Sequence, residues 1–237
     1  PLAPQAVRIG VRIPHLKIAK LAWQAQSAGI FVEGETPPLA PQAVRIGVRI
    51  PHLKIAKRVY EGEHEGRRVC VVDTLSAGPE VTLIVEKLQA CIQAGMTYEE
   101  ICQSVTEYRK KTGLIFMLKS LKTFANNGRV SPVVARLVGI AGICIVGKAS
   151  DEGTLEPRHK CRGERRSWET LVSELAAEGY RSGRICIGHC QNETAAEQIK
   201  SMILEKFENA KIKIHTLKGL CSFYAEKGGV LIGFERP

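Results

Sequence analysis

Between His159 and Glu169 the chain reads HKCRGERRSWE, which sets Lys160, Arg162, Arg165 and Arg166 around Gly163 just before a helical pattern. That much positive charge is either the solvated start of a surface helix or a grip for an anion. Arginine suits the second use, because its rigid fork donates two bonds to carboxylate or phosphate oxygens. A second set of reactive side chains lies near it in sequence: His159 with Cys161, and Cys186 with His189 and Cys190. None of these pairs has the two-residue gap with which two thiolates grip zinc from a knuckle turn, so no metal site is expected. Asp73 closes an apolar run and is the remaining group placed for chemistry. The chain has no phosphate-cradling GxxxxGK[ST] loop and no GxSxG nucleophile elbow, which argues against two common kinds of catalyst.

The elements that must position these residues follow from periodicity. RRVCVVDT, 67–74, is a β-branched apolar run that predicts a buried strand of an α/β sheet ending at Asp73 and Thr74. Pro79 opens a helix that runs to Gly95, and Thr97 with Glu100 forms a capping-box pattern for a second helix closed by Lys110, Lys111 and Gly113. LIFML, 114–118, predicts a strand, SLKTFA a short helix, Asn126-Asn127-Gly128-Arg129 a tight turn, and Ser131-Pro132 the start of a helix through VVARLVGI. ICIVG and TLEPRHKC read as strands, RSWETLVSELAAEG as a helix, RICIGH as a strand, TAAEQIKSMILEKF as a helix and KIKIHTL as a strand. Alternating strands and helices predict α/β layers, and the short segments after residue 114 predict a second, mixed sheet.

The bulk numbers bound the function. The length of 237 residues gives room for one large or two ordinary domains, and a hydrophobic share of 44% suits a globular core. No apolar run is long enough to span a membrane, and the opening lacks the layout of a signal peptide, so the expected location is the cytoplasm. The eight cysteines are scattered singly, as reduced buried thiols are. A net charge of +10 and a pI near 9.3 suggest nucleic acid until the charge is located. PLAPQAVRIGVRIPHLKIAK at 1–20 returns letter for letter at 38–57, and each copy carries four cations and no acid. Without residues 1–57 the net charge is only +4, and aromatic residues make up just 5%, so stacking platforms for single strands are scarce. Two perfect copies are unlike solenoid repeats, which drift in sequence and need about three units to bury a core. A recently duplicated basic arm or a cloning or sequence-assignment artefact accounts for them, and intact mass or N-terminal sequencing separates the two. Val7, Ile9, Val11 and Ile13 alternate with polar or small residues, as in a half-buried strand.

VCVVDTLSAG, two helices, LIFMLKSLKTFANNGRVSP, GTLEPRHKCRGERRS and GLCSFYAEKGGVLIGFE follow one another in this order over residues 58–235. The ordered set resembles the DegV family of bacterial fatty-acid-binding proteins. The resemblance implies a two-domain α/β fold: a Rossmann-like N-terminal α/β/α domain over 1–112, and a second α/β domain with a mixed sheet over 113–237. It implies a long-chain fatty acid such as palmitate, stearate or oleate held between the domains, with its carboxylate presented to a partner fatty acid kinase. The binding protein would itself be no enzyme and need no cofactor. The alternative is a phosphotransfer enzyme or kinase subunit akin to dihydroxyacetone kinase-like proteins, which share the two-domain plan.

By position, Arg129 in NGRVS and Arg162 in CRGERR fall on family arginines near the head group, with Gly163 allowing close backbone approach, whereas Arg165 and Arg166 fit a solvated helix surface. The chain departs from the family twice. The histidine of the family's glycine-rich stretch falls on Ala225, leaving Tyr224 or Lys227 to supply a polar hydrogen and Glu226 to repel an anion. The early Asp-Ser strand end and the Ser/Thr-rich loops that hold the carboxylate have no counterpart in residues 1–57.

Overall fold

Residues 28–32, 43–46, 50–66, 68–126, 142–151 and 155–236 are described by the computed structural model. The expected strand Val7–Ile13, the Asn127-Gly128-Arg129 turn with its candidate Arg129, and the helix from Ser131-Pro132 lie outside the described residues.

In chain order the elements are β1 (Ala28–Val32), β2 (Ala43–Ile46), α1 (Ile50–Glu63), β3 (Val69–Asp73), α2 (Pro79–Gln93), α3 (Tyr98–Arg109), β4 (Thr112–Leu118), α4 (Lys122–Asn126), β5 (Ile143–Ala149), β6 (Leu155–Arg162), α5 (Glu164–Ala177), β7 (Gly183–His189), α6 (Glu193–Lys206), β8 (Ala210–Thr216), α7 (Gly219–Ala225) and β9 (Val230–Glu235). The fold is α/β with a mixed sheet. Two compact units emerge: the described residues up to Ala77 with Ile84–Lys110, and Gly78–Leu83 with the described residues from Lys111 onward.

In the first unit, β3 is one edge of a three-stranded antiparallel sheet of order β2-β1-β3. Cys70, Val71 and Asp73 are half-buried, so β3 is not the fully buried run its composition predicts. Val72 meets Ile84, Leu88 and Cys91 of α2 and Ile101 and Val105 of α3 in one apolar cluster. The capping box forms as expected: Thr97 accepts from the Glu100 backbone, and the Glu100 carboxylate accepts from the Thr97 N–H at 2.8 Å. The helix stops at Arg109 with Lys110 as its cap, and Gly113 belongs to β4 instead of ending the helix. A Cβ at Gly113 would sit 2.7 Å from the Phe234 ring, so close packing, not helix termination, is what glycine serves there.

The second unit is built on a six-stranded sheet of order β6-β5-β4-β9-β7-β8, antiparallel except for the β7–β8 pair. On its first face, Ile115, Met117, Val146, Ile185, Ile187, Ile232 and Phe234 pack against Leu171 and Leu175 of α5 and Ala195, Ile199 and Ile203 of α6. Strand alternation and helical spacing each supply one apolar stripe, and each large side chain buried this way contributes about 1.5–3 kcal/mol. Tyr180 closes this core, with its hydroxyl donating to the Gly183 carbonyl at 3.0 Å and its ring edge-on to Phe207. Burial, helped by the Glu235 charge, pushes its phenol up to about 12.

The first turn of α2 lies on the opposite face, where glycines make room. A Cβ at Gly233 would stand 2.3 Å from the Glu80 nitrogen, and one at Gly188 would stand 2.5 Å from the Leu217 side chain. Glu80, buried there, accepts from the Thr112 hydroxyl at 2.6 Å.

Candidate functional site

The second face of the six-stranded sheet carries a smaller apolar cluster: Phe116 and Leu118 of β4, Ile145 of β5, Leu121, Leu217 and Ala225, with Phe124, Leu155 and Leu231 packed against it. Two short helices contribute to it, and their rings meet where Phe124 of α4 lies 4.7 Å from Tyr224 of α7. Register defines what lines the face, because paired residues of neighbouring strands point the same way. Leu118 pairs with Ile145, and Ile145 pairs with Lys160. Phe116 pairs with Gly147, Gly147 with Pro157, and Ile143 with Arg162. One row thus runs from an apolar floor to a lysine on the edge strand, with Arg162 two residues farther along the same edge.

A β-bulge makes this possible. Between Val146 and Gly147 the register shifts, so that Arg158 is an extra residue on β6. Without it, strict alternation would put Leu155 and Arg162 on opposite faces; with it, Leu155 joins the apolar cluster and Lys160 and Arg162 share its side. Cys161 and His159 point to the first face, where His159 Nε2 meets Glu174 at 2.7 Å.

The basic segment is more helical than its composition suggests. The helix expected from Arg166 begins at Glu164, so Glu164, Arg165 and Arg166 all lie in its first turn. Arg165 pairs with Glu169 at 3.1 Å on the solvent side. Gly163 precedes the helix at φ +88, and a Cβ there would meet nothing within 4 Å. Glycine is needed at this position for its left-handed backbone, not for close approach. Arg162 is exposed.

Tyr224 is half-buried, its ring tilted against Phe124 and edge-on to Phe223, and Ala225 is buried in the apolar cluster. Lys227 is exposed in the turn before β9. Glu226, expected to repel an anion, accepts from the Thr123 N–H at 2.8 Å and ties this turn to α4. Burial raises its pKa, but hydrogen bonds from Thr123 and Ser120 and the Lys122 charge outweigh it and hold the carboxyl below its ordinary value. The backbone here is strained, with Glu226 at φ +52.

At the same end of the sheet, His189 and Asn192 knit three strand ends together. Asn192 donates its backbone N–H to His189 Nδ1 at 3.2 Å and its side-chain amide to the Gly228 carbonyl at 2.9 Å. The sequence grouping of His159, Cys161, Cys186, His189 and Cys190 separates in space: Cys186 lies 3.3 Å from His215 Nδ1 and Cys161 donates to Thr170. Among the described residues no group of three or more His, Cys, Asp or Glu side chains could hold a metal ion. Asp73 Oδ1 accepts from the Leu75 N–H at 3.1 Å in a tight turn.

This side of the sheet thus combines a buried apolar cluster with exposed cations at one edge. A family profile described as "Uncharacterised protein, DegV family" matches residues 51–236. The chain belongs to the DegV family. It is 43% identical over 173 residues to a DegV domain-containing protein of Streptococcus pneumoniae, which covers 73% of this chain and 62% of that one. Among solved structures it is similar to the Streptococcus pneumoniae fatty acid kinase B3 protein loaded with linoleic acid, at 42% identity and a TM-score of 0.77, over 79% of this chain and 66% of that one. It is also similar to a DegV family protein of Eubacterium eligens loaded with heptadecanoic acid, at 39% identity and a TM-score of 0.76, over 79% and 68%. The chain thus spans less than two thirds of the length of the curated relatives it matches. No helix among the described residues is long and apolar enough to cross a membrane.

The sequence placed Lys160 beside Arg162 in one basic run but did not show that both share the face of Leu155. The signal that identifies Lys160 is the pairing of β6 with β5, and period-two counting misses it because of the bulge.

Proposed function

We propose that this DegV protein is a non-catalytic carrier that binds a long-chain fatty acid and presents its carboxylate to a partner fatty acid kinase in the cytoplasm. The alkyl chain lies against the apolar second face of the mixed sheet, and the carboxylate turns toward the cationic edge. The observation that carries this reading is the row Leu118–Ile145–Lys160 beside Arg162, in which a buried apolar cluster gives way to exposed positive charge along one sheet face. Both halves of an amphiphile are served by it. Each buried methylene contributes about 0.8 kcal/mol, and an ionised carboxylate taken out of water needs charged or hydrogen-bonding partners. The two solved relatives loaded with linoleic and heptadecanoic acid support the same ligand class.

Arg162 grips the carboxylate or the phosphate it acquires, and Arg129, which by sequence position falls on a family arginine, shares that role. With Ala225 in the place of the family's histidine, Tyr224 and Lys227 are the polar groups nearest that turn in sequence, and one of them supplies the missing hydrogen. The carrier has a two-domain plan, with an N-terminal domain over 1–112, whose described strands β2-β1-β3 pair antiparallel and not in the parallel Rossmann manner, and the mixed-sheet domain over 113–237.

Lipid extraction from protein purified from a bacterial host, followed by mass spectrometry of extract and intact complex, tests the proposal. An unbranched fatty acid in stoichiometric amount is expected. Protein that carries no lipid and takes up none from added oleate refutes the carrier.

A further inference from the structure

Lys160 and Arg162 are two residues apart on β6, and their register partners, Ile145 and Ile143, put both side chains on the second face. Neither has an acidic or hydrogen-bonding partner among the described residues. Their neighbours do: Arg158 meets Glu156 at 3.0 Å, Arg165 meets Glu169 at 3.1 Å, and Lys119 pairs with Glu164. The acids of this segment therefore serve the flanking cations and leave the middle two uncompensated. Like charges on adjacent same-face positions of a sheet destabilise it, and Ile145 beside Lys160 offers no relief. An anion at the end of the apolar row removes that repulsion.

A carboxylate brings one negative charge, which a single arginine fork satisfies. A phosphate head brings about −1.5 to −2 near neutral pH and three strong acceptor oxygens, and so has charge and lone pairs left for a second cation. We propose that Lys160 joins Arg162 in a two-cation clamp that favours a dianionic phosphate head over a carboxylate on the same alkyl chain. This rests on the carrier reading. Its consequence is directional: the phosphorylated lipid is held by its head more tightly than the acid it came from, until a reaction that takes up the acyl group removes it. The competing role for these charges is to keep an edge strand from pairing with another chain.

Laurate and monododecyl phosphate share a chain length and differ in the head, so their titration into the intact protein isolates the clamp. Wild type is expected to bind dodecyl phosphate more tightly. Lys160→Gln should weaken dodecyl phosphate about fivefold, the upper end for an exposed ion pair, and laurate by less than about twofold. Lys160→Arg should restore the preference, and salt should erode it. Dodecyl phosphate affinity should also rise as the pH passes through about 6, where the second phosphate proton leaves, and rise less in Lys160→Gln. Equal losses for the two ligands, or none, would overturn the clamp while leaving the carrier standing. Wild-type protein that binds neither amphiphile would overturn both.

Discussion

The two faces of the six-stranded sheet use the same strands for opposite ends. The first face is sealed by α5 and α6, and its residues Phe234, Ile187, Leu171 and Ile199 are wholly buried. The second face has a smaller apolar cluster, overlaid by two short helices and the first turn of α2, and its β6 edge ends in cations without acidic partners among the described residues. A face closed by long amphipathic helices holds the unit together. The second face is closed as well, with Phe116 and Leu118 buried, but its row ends in exposed Lys160 and Arg162 at the β6 edge. Stability and binding should therefore separate by face under mutation.

The largest effect is expected from Phe234→Ala, which should cost about 3–5 kcal/mol in urea unfolding, since a fully buried ring on the sealed face leaves a cavity. Leu155→Ala on the second face, where the side chain is only partly buried, should cost clearly less. Equal losses would erase the distinction between the faces.

Next comes Gly233→Ala, expected to cost about 1–3 kcal/mol, because its Cβ would press on the backbone of Glu80 2.3 Å away, which cannot swing aside as a side chain tip does. Thermal unfolding of this variant beside Gly188→Ala, whose nearest obstacle is the Leu217 side chain, sharpens the point. Gly188→Ala should be the milder of the two.

A smaller change is expected from Glu226→Gln, about 1 kcal/mol or less after allowance for solvent screening. The wild-type carboxyl titrates below its ordinary value when folded, so its stabilisation is complete above the unfolded value and fades as pH falls through the folded one. Acid titration of unfolding free energy should show a shallower loss for Glu226→Gln than for wild type below the ordinary carboxylate range. Parallel curves would remove Glu226 from its role between the α7–β9 turn and α4.

The smallest stability effect belongs to Arg162→Ala, within about 0.5 kcal/mol, as for other exposed side chains. In a coupled assay with the fatty acid kinase of the proposed function it should lower acyl-phosphate formation more than fatty-acid loading. Wild-type rates in that assay would take Arg162 out of the site.

Much of this was legible without coordinates. The β4, β5, β7 and β8 strands announce themselves by short β-branched or apolar runs between turn residues, and the α3 cap by Thr97 and Glu100 at the capping-box spacing. Those features are local, and a dozen neighbouring residues suffice to set them. The ordered motifs carried the family in the same way.

Other features depended on contacts far apart in sequence. Gly113 looked like a helix stop, but the Phe234 ring, brought alongside by the β4–β9 pairing, determines what that position needs. Glu226 keeps the negative charge its sequence position implies, but that it also ties its turn to α4 through the Thr123 backbone, 103 residues away, was invisible in the sequence. The pairing of Lys160 with the apolar row was hidden for a third reason: one extra residue opposite Val146 and Gly147 inverts the face of everything after it, and no local propensity marks a bulge. Sequence alone set the elements and their capping, because these depend on near neighbours. Which face each charge shares was decided by strand pairing, a property of two segments at once.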